Sequence, residues 1–322
     1  MNGTIVVMVT GSVLANGQGS HIADQRRNAE ALAEGLTPLL VSRRKAVVLH
    51  GNKPQVGFVL FRSELASHVL HPIPLDVCGA DTQGATGYML SMAFANTLHD
   101  QGLDRRVMAV ITQTRVEPNP PAHETRMRSI GPYFDREKAE QYRQTRGWTI
   151  ADEPGRGYRR AVPCLRPLEI IEMAGIQQMV EAGDLVIASG GGGIPVIRND
   201  KGRLEGLEAV IETEQVACLL AQQLQAEELL MVVDRDDAFI VSGLGTPGRN
   251  NLSLQDLDAF LAEKPTLTIS AEDKLKAASL FLHQGGARVI VTTLRKLPEA
   301  LTGQGGLQIA APARVSPGSA QA

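Results

Sequence analysis

Three glycine-rich segments follow apolar, β-branched runs, at places where a strand is expected to end. They read TGSVLANGQGS after residues 4–9, HGNKPQVG after residues 45–50, and SGGGGIPV after residues 184–189. Backbone N–H groups that no side chain covers bind anions at such turns, and a following helix adds its dipole. One such turn is explained equally well as a tight connection between a strand and a helix. Three of them in one chain predict a site for a phosphate or a carboxylate.

Arginines form the second group of residues that could do chemistry. They occur in ETRMRS (124–129) and GRGYRR (155–160), within a proline-rich stretch. A charge run of this kind is commonly a solvated loop. The alternative is an arginine lid over an anionic ligand, because the guanidinium fork matches phosphate oxygens. His50 ends a strand run and could face the same site, whereas the other six histidines are expected at the surface or in structural roles.

Several familiar catalytic motifs do not occur in the sequence. The chain has no GxxxxGK[ST], no GxGxxG that opens a helix after a strand, no GxSxG and no HExxH. The three cysteines, Cys78, Cys164 and Cys218, form no CxxC pair, and we expect reduced thiols. We therefore predict no protein-held metal site.

Alternating strand and helix patterns must position these residues. Six runs predict strands that are buried on both faces: 4–9, 45–50, 106–112, 184–189, 228–234 and 288–293. Helical patterns lie between them at 23–43, 168–182, 214–225 and 271–285. This alternation predicts an α/β fold with a mostly parallel sheet. Ligands of such sheets bind beyond the carboxyl ends of the strands, where the glycine-rich segments lie.

One stretch breaks the alternation. Residues 116–167 carry seven prolines and many arginines, which predicts a subdomain or lid with one helix at about 135–146. Residues 198–206 indicate a hairpin, and residues 313–322 a disordered tail. We interpret residues 1–312 as one domain that contains the 116–167 subdomain.

Composition limits the classes of function. The chain has 322 residues, a net charge of −3 and 43% hydrophobic residues, which is enough for a large core. The charge argues against a broad basic face for nucleic acid, although local cations could still bind small anions. The N-terminus lacks a basic segment, and its apolar run is too short for a signal peptide or a membrane span. We expect a cytoplasmic protein with no nucleic-acid or membrane partner.

Taken together, the motifs resemble those of carbamate kinases, of the amino acid kinase family. The resemblance covers about residues 4–312 and rests on HGNKPQVG, PLDVCGADTQGATGYML, SIGPYF, RGWTIADEPGRGYRRAVPCLRPLEIIE, SGGGGIPVI and GLEAVIETEQVACLLA, in the family's order. It implies a three-layer αβα sandwich with an open, mostly parallel eight-stranded sheet, a protruding subdomain and a homodimer. It also implies phosphoryl transfer between ATP and carbamate with Mg²⁺, often in the direction of ATP synthesis from carbamoyl phosphate.

The resemblance also implies roles for individual residues. It assigns contacts with the small substrate to Gly11, Ser12, Gly51, Asn52 and Lys53. It assigns contacts with the phosphates to Gly190, Gly191, Gly192, Gly193 and Lys274, and places Asp234 in the nucleotide-binding segment. Arg128 is expected to close over the site, and the implied catalytic residues are Lys274, Arg128 and Ser12.

Several of these positions differ from the family's pattern. Ser12 stands in a loop that normally carries two glycines and an asparagine, Lys53 replaces a glycine, and Arg128 replaces a lysine. The family's Asp-Lys-Asp reads Glu212, Thr213, Glu214 here, so a lysine is missing at Thr213.

Three functions are open at this point. The first is a kinase that acts on carbamate or on another small carbamate or carboxylate. The second is a catalytically weak homologue that binds a small anion or a nucleotide as a regulatory partner. The third is a carbamoyl-transfer enzyme on the same scaffold. The length of the retained segments favours the first.

Overall fold

The structure is a computed structural model that describes residues 3–15, 21–118, 120, 126–234, 240, 244 and 250–312. The predicted tail at 313–322 lies outside these residues, as does the nucleotide segment after Asp234 as far as residue 239.

Fifteen strands occur in the described residues. In chain order they are β1 (Ile5–Val9), β2 (Ala46–His50), β3 (Val107–Ala109), β4 (Gln113–Val116), β5 (Arg126–Phe134), β6 (Thr149–Glu153), β7 (Gly157–Cys164), β8 (Pro167–Ile170), β9 (Leu185–Ile187), β10 (Ile194–Arg198), β11 (Leu204–Gly206), β12 (Glu228–Val233), β13 (Asn251–Ser253), β14 (Arg288–Thr293) and β15 (Leu307–Ala310).

Eleven α-helices with described bounds lie between them. They are α1 (Gly11–Leu14), α2 (Ile22–Gly35), α3 (Thr37–Val41), α4 (Lys53–Leu65), α5 (Leu75–Asp100), α6 (Arg136–Arg146), α7 (Met173–Glu181), α8 (Thr213–Gln223), α9 (Leu254–Ala262), α10 (Ile269–His283) and α11 (Leu297–Leu301).

Eight strands form the central sheet, in the order β13-β15-β14-β12-β1-β2-β9-β3. All neighbouring pairs are parallel except β14 and β15. Every residue of β1, β2, β9 and β12 is buried, which explains why these strands read as continuous apolar runs. The predicted mostly parallel eight-stranded sheet is confirmed.

Helices cover both faces of this sheet. Along β1, Val6 and Met8 face a core that includes residues of α7, α8, α9 and α10. Ile5, Val7 and Val9 face the other core, with α2, α3, α5 and α11. The alternation follows from the period of two in a strand, and it produces the three layers.

Two predicted helices differ from the observed ones. Residues 23–43 form α2 and α3, because Pro38 begins a new helix in its first turn. The helix predicted at 168–182 is wrong over its first residues. Pro167–Ile170 instead forms β8 and pairs antiparallel with β4, so α7 begins only at Met173.

Helix α5 was not identified from the sequence as a single helix. It is 26 residues long and contains Gly79, Gly84 and Gly87, which disfavour a helix when judged locally. Its buried face, with Leu90, Ala93 and Phe94, packs on the sheet, so tertiary contacts outweigh the local cost. No described helix, α5 included, is long and apolar enough to span a membrane.

A second group of elements lies outside the central sheet, within the predicted subdomain. Strands β5, β7 and β6 form a three-stranded antiparallel sheet that packs with α6, and we call residues 126–164 the lid. Phe134, Tyr142 and Trp148 pack together inside it, with ring centroids 4.6–6.3 Å apart. The limits 116–167 for this subdomain remain a prediction.

Phe94 offers a test of the core between the sheet and α5. It is fully buried, so Phe94→Ala should lower the free energy of unfolding by about 3–5 kcal/mol through lost burial and a cavity. The exposed Phe61→Ala is the matched control and should change it by less than about 0.5 kcal/mol. Urea unfolding followed by circular dichroism measures both variants. Equal losses in the free energy of unfolding would contradict the placement of Phe94 in the core.

Candidate active site

The site begins where three parallel strands end side by side. β1, β2 and β9 are adjacent, so the loops after Val9, His50 and Ile187 emerge at one edge of the sheet. The first two loops touch through backbone, because a Cβ placed on Gly51 would lie 2.6 Å from the amide nitrogen of Gly11. These glycines permit an approach that any side chain would prevent.

The third loop explains the run of four glycines. Three of the four, Gly191, Gly192 and Gly193, have φ between +68° and +89°, a region that side chains disfavour. A Cβ on Gly191 would lie 2.2 Å from Nδ2 of Asn52, and one on Gly193 would lie 2.1 Å from Oγ1 of Thr114. Both backbone conformation and lack of space therefore require glycine here.

The same loop holds two backbone donors for which none of the described residues provides an acceptor. The amides of Gly192 and Gly193 donate to Ser189 O at 2.9 Å and Gly190 O at 3.0 Å. Within the described chain, the amides of Gly190 and Gly191 have no hydrogen-bond acceptor. Backbone amides of this kind are normally paired, so two neighbouring ones without a partner suit an anion.

His50 forms the wall behind the loop. It is buried, and its Nδ1 donates to the carbonyl of Gly51 at 3.2 Å, which leaves Nε2 without the proton. A Cβ on Gly190 would lie 2.5 Å from that Nε2. Burial lowers the pKa of His50 to about 4, so the ring is neutral near pH 7.

Two cations meet on one carboxylate beside the loop. Nζ of Lys53, the first residue of α4, donates to Oε2 of Glu212 at 3.0 Å. Nε of Arg128, from the lid strand β5, donates to the other oxygen of Glu212. Nη2 of Arg128 also donates to Oδ2 of Asp273 at 2.6 Å. The carboxylate of Glu212, the residue that precedes α8, thus connects the lid with α4.

Charge keeps this cluster ionised. Burial alone would raise the pKa of Glu212, but Lys53 and Arg128 outweigh it and lower the pKa to about 2. Burial acts against the two cations, yet Glu212 raises the pKa of both Lys53 and Arg128. Burial and then Glu212 raise the pKa of the Cys164 thiol to about 12, so this residue is not a nucleophile near neutral pH.

Lys274 lies on α10, next to Asp273. Its side chain is only 2% exposed, and Nζ lies 2.5 Å from Oγ of Ser270 and 3.5 Å from Oε1 of Glu214. Glu214 is on α8, whose start lies against the glycine loop. Lys274 is therefore connected to the glycine loop indirectly, because it contacts Glu214 of α8 and α8 packs against the loop.

Ser12 lies on α1, the short helix that follows β1. Its Oγ donates to Oδ2 of Asp234, which follows β12. Because β1 and β12 are neighbours in the sheet, the pair lies at the same carboxyl edge as the glycine loops.

A cavity of about 150 Å³ collects most of the other predicted residues. Asn52, Lys53, Arg128, Gly191 and Gly193 all line it. The sequence predictions did not select Glu212 or Asp273 as site residues. Nothing local signals them, because Glu212 lies 159 and 84 residues from the two cations that it joins.

The described residues hold no group of three or more His, Cys, Asp or Glu side chains that could bind a metal ion. Mg²⁺ usually keeps several waters and is bound through one or two carboxylates together with substrate phosphates. Asp234, at the carboxyl edge of the sheet, is one carboxylate that fits this requirement.

His50 predicts how stability depends on pH. Its pKa is about 4 in the folded chain against 6.5 in the unfolded one, so the unfolded state binds more protons between these values. The free energy of unfolding should fall by up to about 3 kcal/mol as the pH drops from about 6.5 to 4. Urea unfolding at several pH values should show this slope reduced in His50→Gln and retained in the exposed control His68→Gln. An unchanged slope in His50→Gln would contradict the assignment.

Comparison with known proteins agrees with this geometry. The model of the amino acid kinase family matches residues 3–293. A carbamate kinase from Pyrococcus horikoshii is 34% identical over 95% of this chain and 98% of its own length. A carbamate kinase-like protein from Escherichia coli K12 is also 34% identical, over 96% and 99%.

A solved structure is similar over nearly the whole chain as well. Carbamate kinase from Giardia lamblia bound to AMP-PNP superimposes with a TM-score of 0.85 at 28% identity, and the match covers 97% of this chain and 99% of that one. The chain therefore belongs to the amino acid kinase family, as a carbamate kinase-like phosphotransferase.

Proposed function

We propose that the chain transfers a phosphoryl group reversibly between ATP and carbamate, in the direction of ATP formation from ADP and carbamoyl phosphate. The observation that carries the proposal is the cavity that Gly191 and Gly193 of the glycine loop line together with Lys53 and Arg128, where the amide of Gly191 has no acceptor among the described residues. The relatives named as carbamate kinases, and the Giardia lamblia structure with AMP-PNP, support it.

Phosphoryl transfer requires positively charged groups at fixed positions in the protein. An oxygen of the ADP β-phosphate attacks the phosphorus of carbamoyl phosphate, and the bond from phosphorus to the carbamate oxygen breaks with its electron pair. ADP³⁻ and carbamoyl phosphate²⁻ thus give ATP⁴⁻ and carbamate⁻, and no proton moves. Catalysis of this step depends on groups that hold the reactants in line and balance the charge on the transferring group.

We assign these tasks to the residues around the cavity. The amides of Gly190 and Gly191 donate to oxygens of the transferring group, and Arg128 approaches it from the lid. Lys274, held by Glu214, contacts the terminal phosphates of the nucleotide, while Asp234 and Ser12 lie beside it. Mg²⁺, when bound to the phosphates, supplies further positive charge. Gly11, Gly51 and Asn52 shape the end of the site that takes the small substrate.

Lys53 has a role of its own in this proposal. Its side chain is 64% exposed along its length, yet its amine reaches the buried Glu212. Thr213, which follows Glu212 in the chain, carries no charge. The lysine that reaches Glu212 is Lys53, at the start of α4. In the ligand-free chain, Glu212 holds both Lys53 and Arg128 in place for the anion.

A coupled assay of ATP formation from ADP and carbamoyl phosphate tests the proposal. ATP formation supports the kinase. If ATP with Mg²⁺ raises the melting temperature but no ATP forms, the chain is instead a binding homologue with a regulatory role. If no nucleotide shifts the melting temperature, carbamoyl transfer without a nucleotide becomes the better proposal.

Removal of a catalytic cation should be costly. Arg128→Met and Lys274→Met should each lower kcat by about 10²–10³-fold, because each removes a preorganised charge on a largely buried side chain. Arg143→Met in the lid and Lys276→Met on α10 are exposed controls and should keep the wild-type kcat. Retention of more than half of the wild-type kcat by either test variant would contradict its assignment.

Lys53 should act on binding more than on rate. Lys53→Met should raise the KM for carbamoyl phosphate about tenfold with a smaller change in kcat, because a cation on an exposed side chain contributes less than a buried one. Lys45→Met is the matched control, because Lys45 is exposed and precedes β2 at the opposite edge of the sheet. Steady-state kinetics measure both, and an unchanged KM in Lys53→Met would remove Lys53 from the site.

We also propose that the chain acts as a homodimer in the cytoplasm, with no nucleic-acid or membrane partner. The resemblance to the family supports the dimer. The exposed side chains of Tyr88, Met108 and Ile111, on and beside the edge strand β3, are apolar surface of the kind that an interface covers.

A further inference from the structure

Arg128 is shared between the proposed substrate cavity and two carboxylates that lie outside it. Its side chain lines the cavity together with Lys53 and two glycines of the loop. Its partners Glu212 and Asp273 line a neighbouring cleft of about 680 Å³ and, in the part of the chain that the structure describes, not the cavity itself. An anion that enters the cavity must therefore compete with these carboxylates for one guanidinium group.

The hydrogen bonds of Arg128 occupy one edge of the guanidinium. Nε donates to Oε1 of Glu212, and Nη2 donates to Oδ2 of Asp273 at 2.6 Å. The N–H bonds on this edge are parallel, which is the arrangement that binds two oxygens of one carboxylate or phosphate. In this chain the edge is divided between two different carboxylates. A phosphoryl group can bind to it only after at least one of them has been displaced.

Of the two contacts, the one with Asp273 costs less to break. Arg126 and Arg128 lie two residues apart on β5, so their side chains project to the same face of the strand. Nη1 of Arg126 donates to Oδ1 of Asp273 at 2.9 Å, whereas Arg128 uses the other oxygen. Without Arg128, each carboxylate keeps one further cation, Arg126 for Asp273 and Lys53 for Glu212. Asp273 is more exposed than Glu212, at 11% against 3%, so the penalty for a lost partner is smaller there.

We propose that Asp273 is an autoinhibitory residue, whose carboxylate holds the edge of Arg128 that the phosphoryl group of the substrate needs and gives it up when that group binds. The inference rests on the proposed phosphoryl transfer and adds a residue that does not touch the reacting atoms. Asp273 precedes Lys274 on α10, so one turn of this helix carries both a cation assigned to the nucleotide phosphates and the carboxylate that restrains the lid arginine. The affinity for carbamoyl phosphate is therefore lower than Arg128 would give without Asp273.

Asp273→Asn tests the proposal because it removes the charge and keeps the shape of the side chain. We expect the KM for carbamoyl phosphate in ATP formation, and its Kd without ADP from titration calorimetry, to fall about fivefold, with kcat within about twofold of wild type. Replacement of a residue with only a structural role would raise KM or lower kcat. Glu208→Gln is the matched control, because Glu208 pairs with the lid residue Arg160 beside a different cavity, and it should keep the wild-type Kd.

A double-mutant cycle with Arg128 separates competition from simple repulsion. Because Asp273 acts through Arg128, Asp273→Asn should leave the Kd for carbamoyl phosphate unchanged when it is added to Arg128→Met. Repulsion between the carboxylate of Asp273 and the anion would still be relieved in that background.

Arg126→Met is a second test, with the opposite sign. Of its two arginine partners Asp273 then keeps Arg128 alone, so release of Arg128 costs more and the Kd for carbamoyl phosphate should rise about threefold. Arg126 is 52% exposed, so this variant should fold. Arg166→Met is its control, because it removes a charge from the same cleft, where Arg166 pairs with Glu117 instead, and it should keep the wild-type Kd.

Three results would overturn the inference. An unchanged or higher Kd in Asp273→Asn, or an unchanged Kd in Arg126→Met, with ATP still formed, overturns it and leaves the proposed kinase reaction intact. A gain in affinity from Asp273→Asn that persists in the Arg128→Met chain overturns the competition for Arg128 and so the inference. If the wild-type chain neither binds carbamoyl phosphate nor forms ATP from it, the kinase reaction and this inference fail together.

Discussion

The site depends on how closely the backbones approach where β1, β2 and β9 end. Parallel neighbours bring their carboxyl ends to one edge, and the loops that follow must then share a small volume. Gly51 rests against Gly11, and Gly191 rests against the side chain of Asn52, at distances that leave no room for a Cβ. Because the loops are this close, Gly191 and Gly193 present backbone to the cavity, beside the side chains of Lys53 and Arg128.

A second constraint fixes the charge around these amides. Glu212 is buried and ionised, and it is shared by Lys53 and Arg128. A buried carboxylate is stable only when it is paired, and removal of one partner of such a pair typically costs about 3–5 kcal/mol. The lid is therefore held to the main body through the group that places cations at the site. An anionic substrate offers the same two cations an alternative partner, so binding and the position of the lid are physically connected.

Much of the framework could be predicted from the sequence. Five of the β-branched apolar runs identified parallel core strands, since strands buried on both faces leave a continuous hydrophobic signal. The prediction for residues 106–112 was wrong, because only Val107–Ala109 forms a strand there and, at the edge of the sheet, it is half-buried to exposed. The glycine segments follow the ends of β1, β2 and β9 as predicted, because their local pattern alone marks a turn, although residues 16–20 of the first segment lie outside the described residues. The helix predicted at 168–182 was wrong at its start, since the pairing of β8 with β4 is a tertiary contact that outweighs the helical pattern of Leu168–Ile170.

The charge pattern of the site could not be predicted. Lys53 and Arg128 were selected one at a time, from the segments in which they occur. Their common counter-ion, Glu212, was not selected, because the pairing joins α4, β5 and the start of α8, which are far apart in the chain. The same reason applies to Asp273 and to the contact of Lys274 with Glu214. Long-range pairing leaves no periodic trace in a single sequence.

The central claim is that the glycine loop and the cations beside it form one phosphoryl-binding site. Amide NMR of the full chain during titration with AMP-PNP and Mg²⁺, with adenosine as the comparison, tests it most directly. The account predicts that the amide resonances of Gly190 and Gly191 shift with AMP-PNP and stay in place with adenosine. Saturable binding of AMP-PNP with both glycine amides unmoved would contradict it.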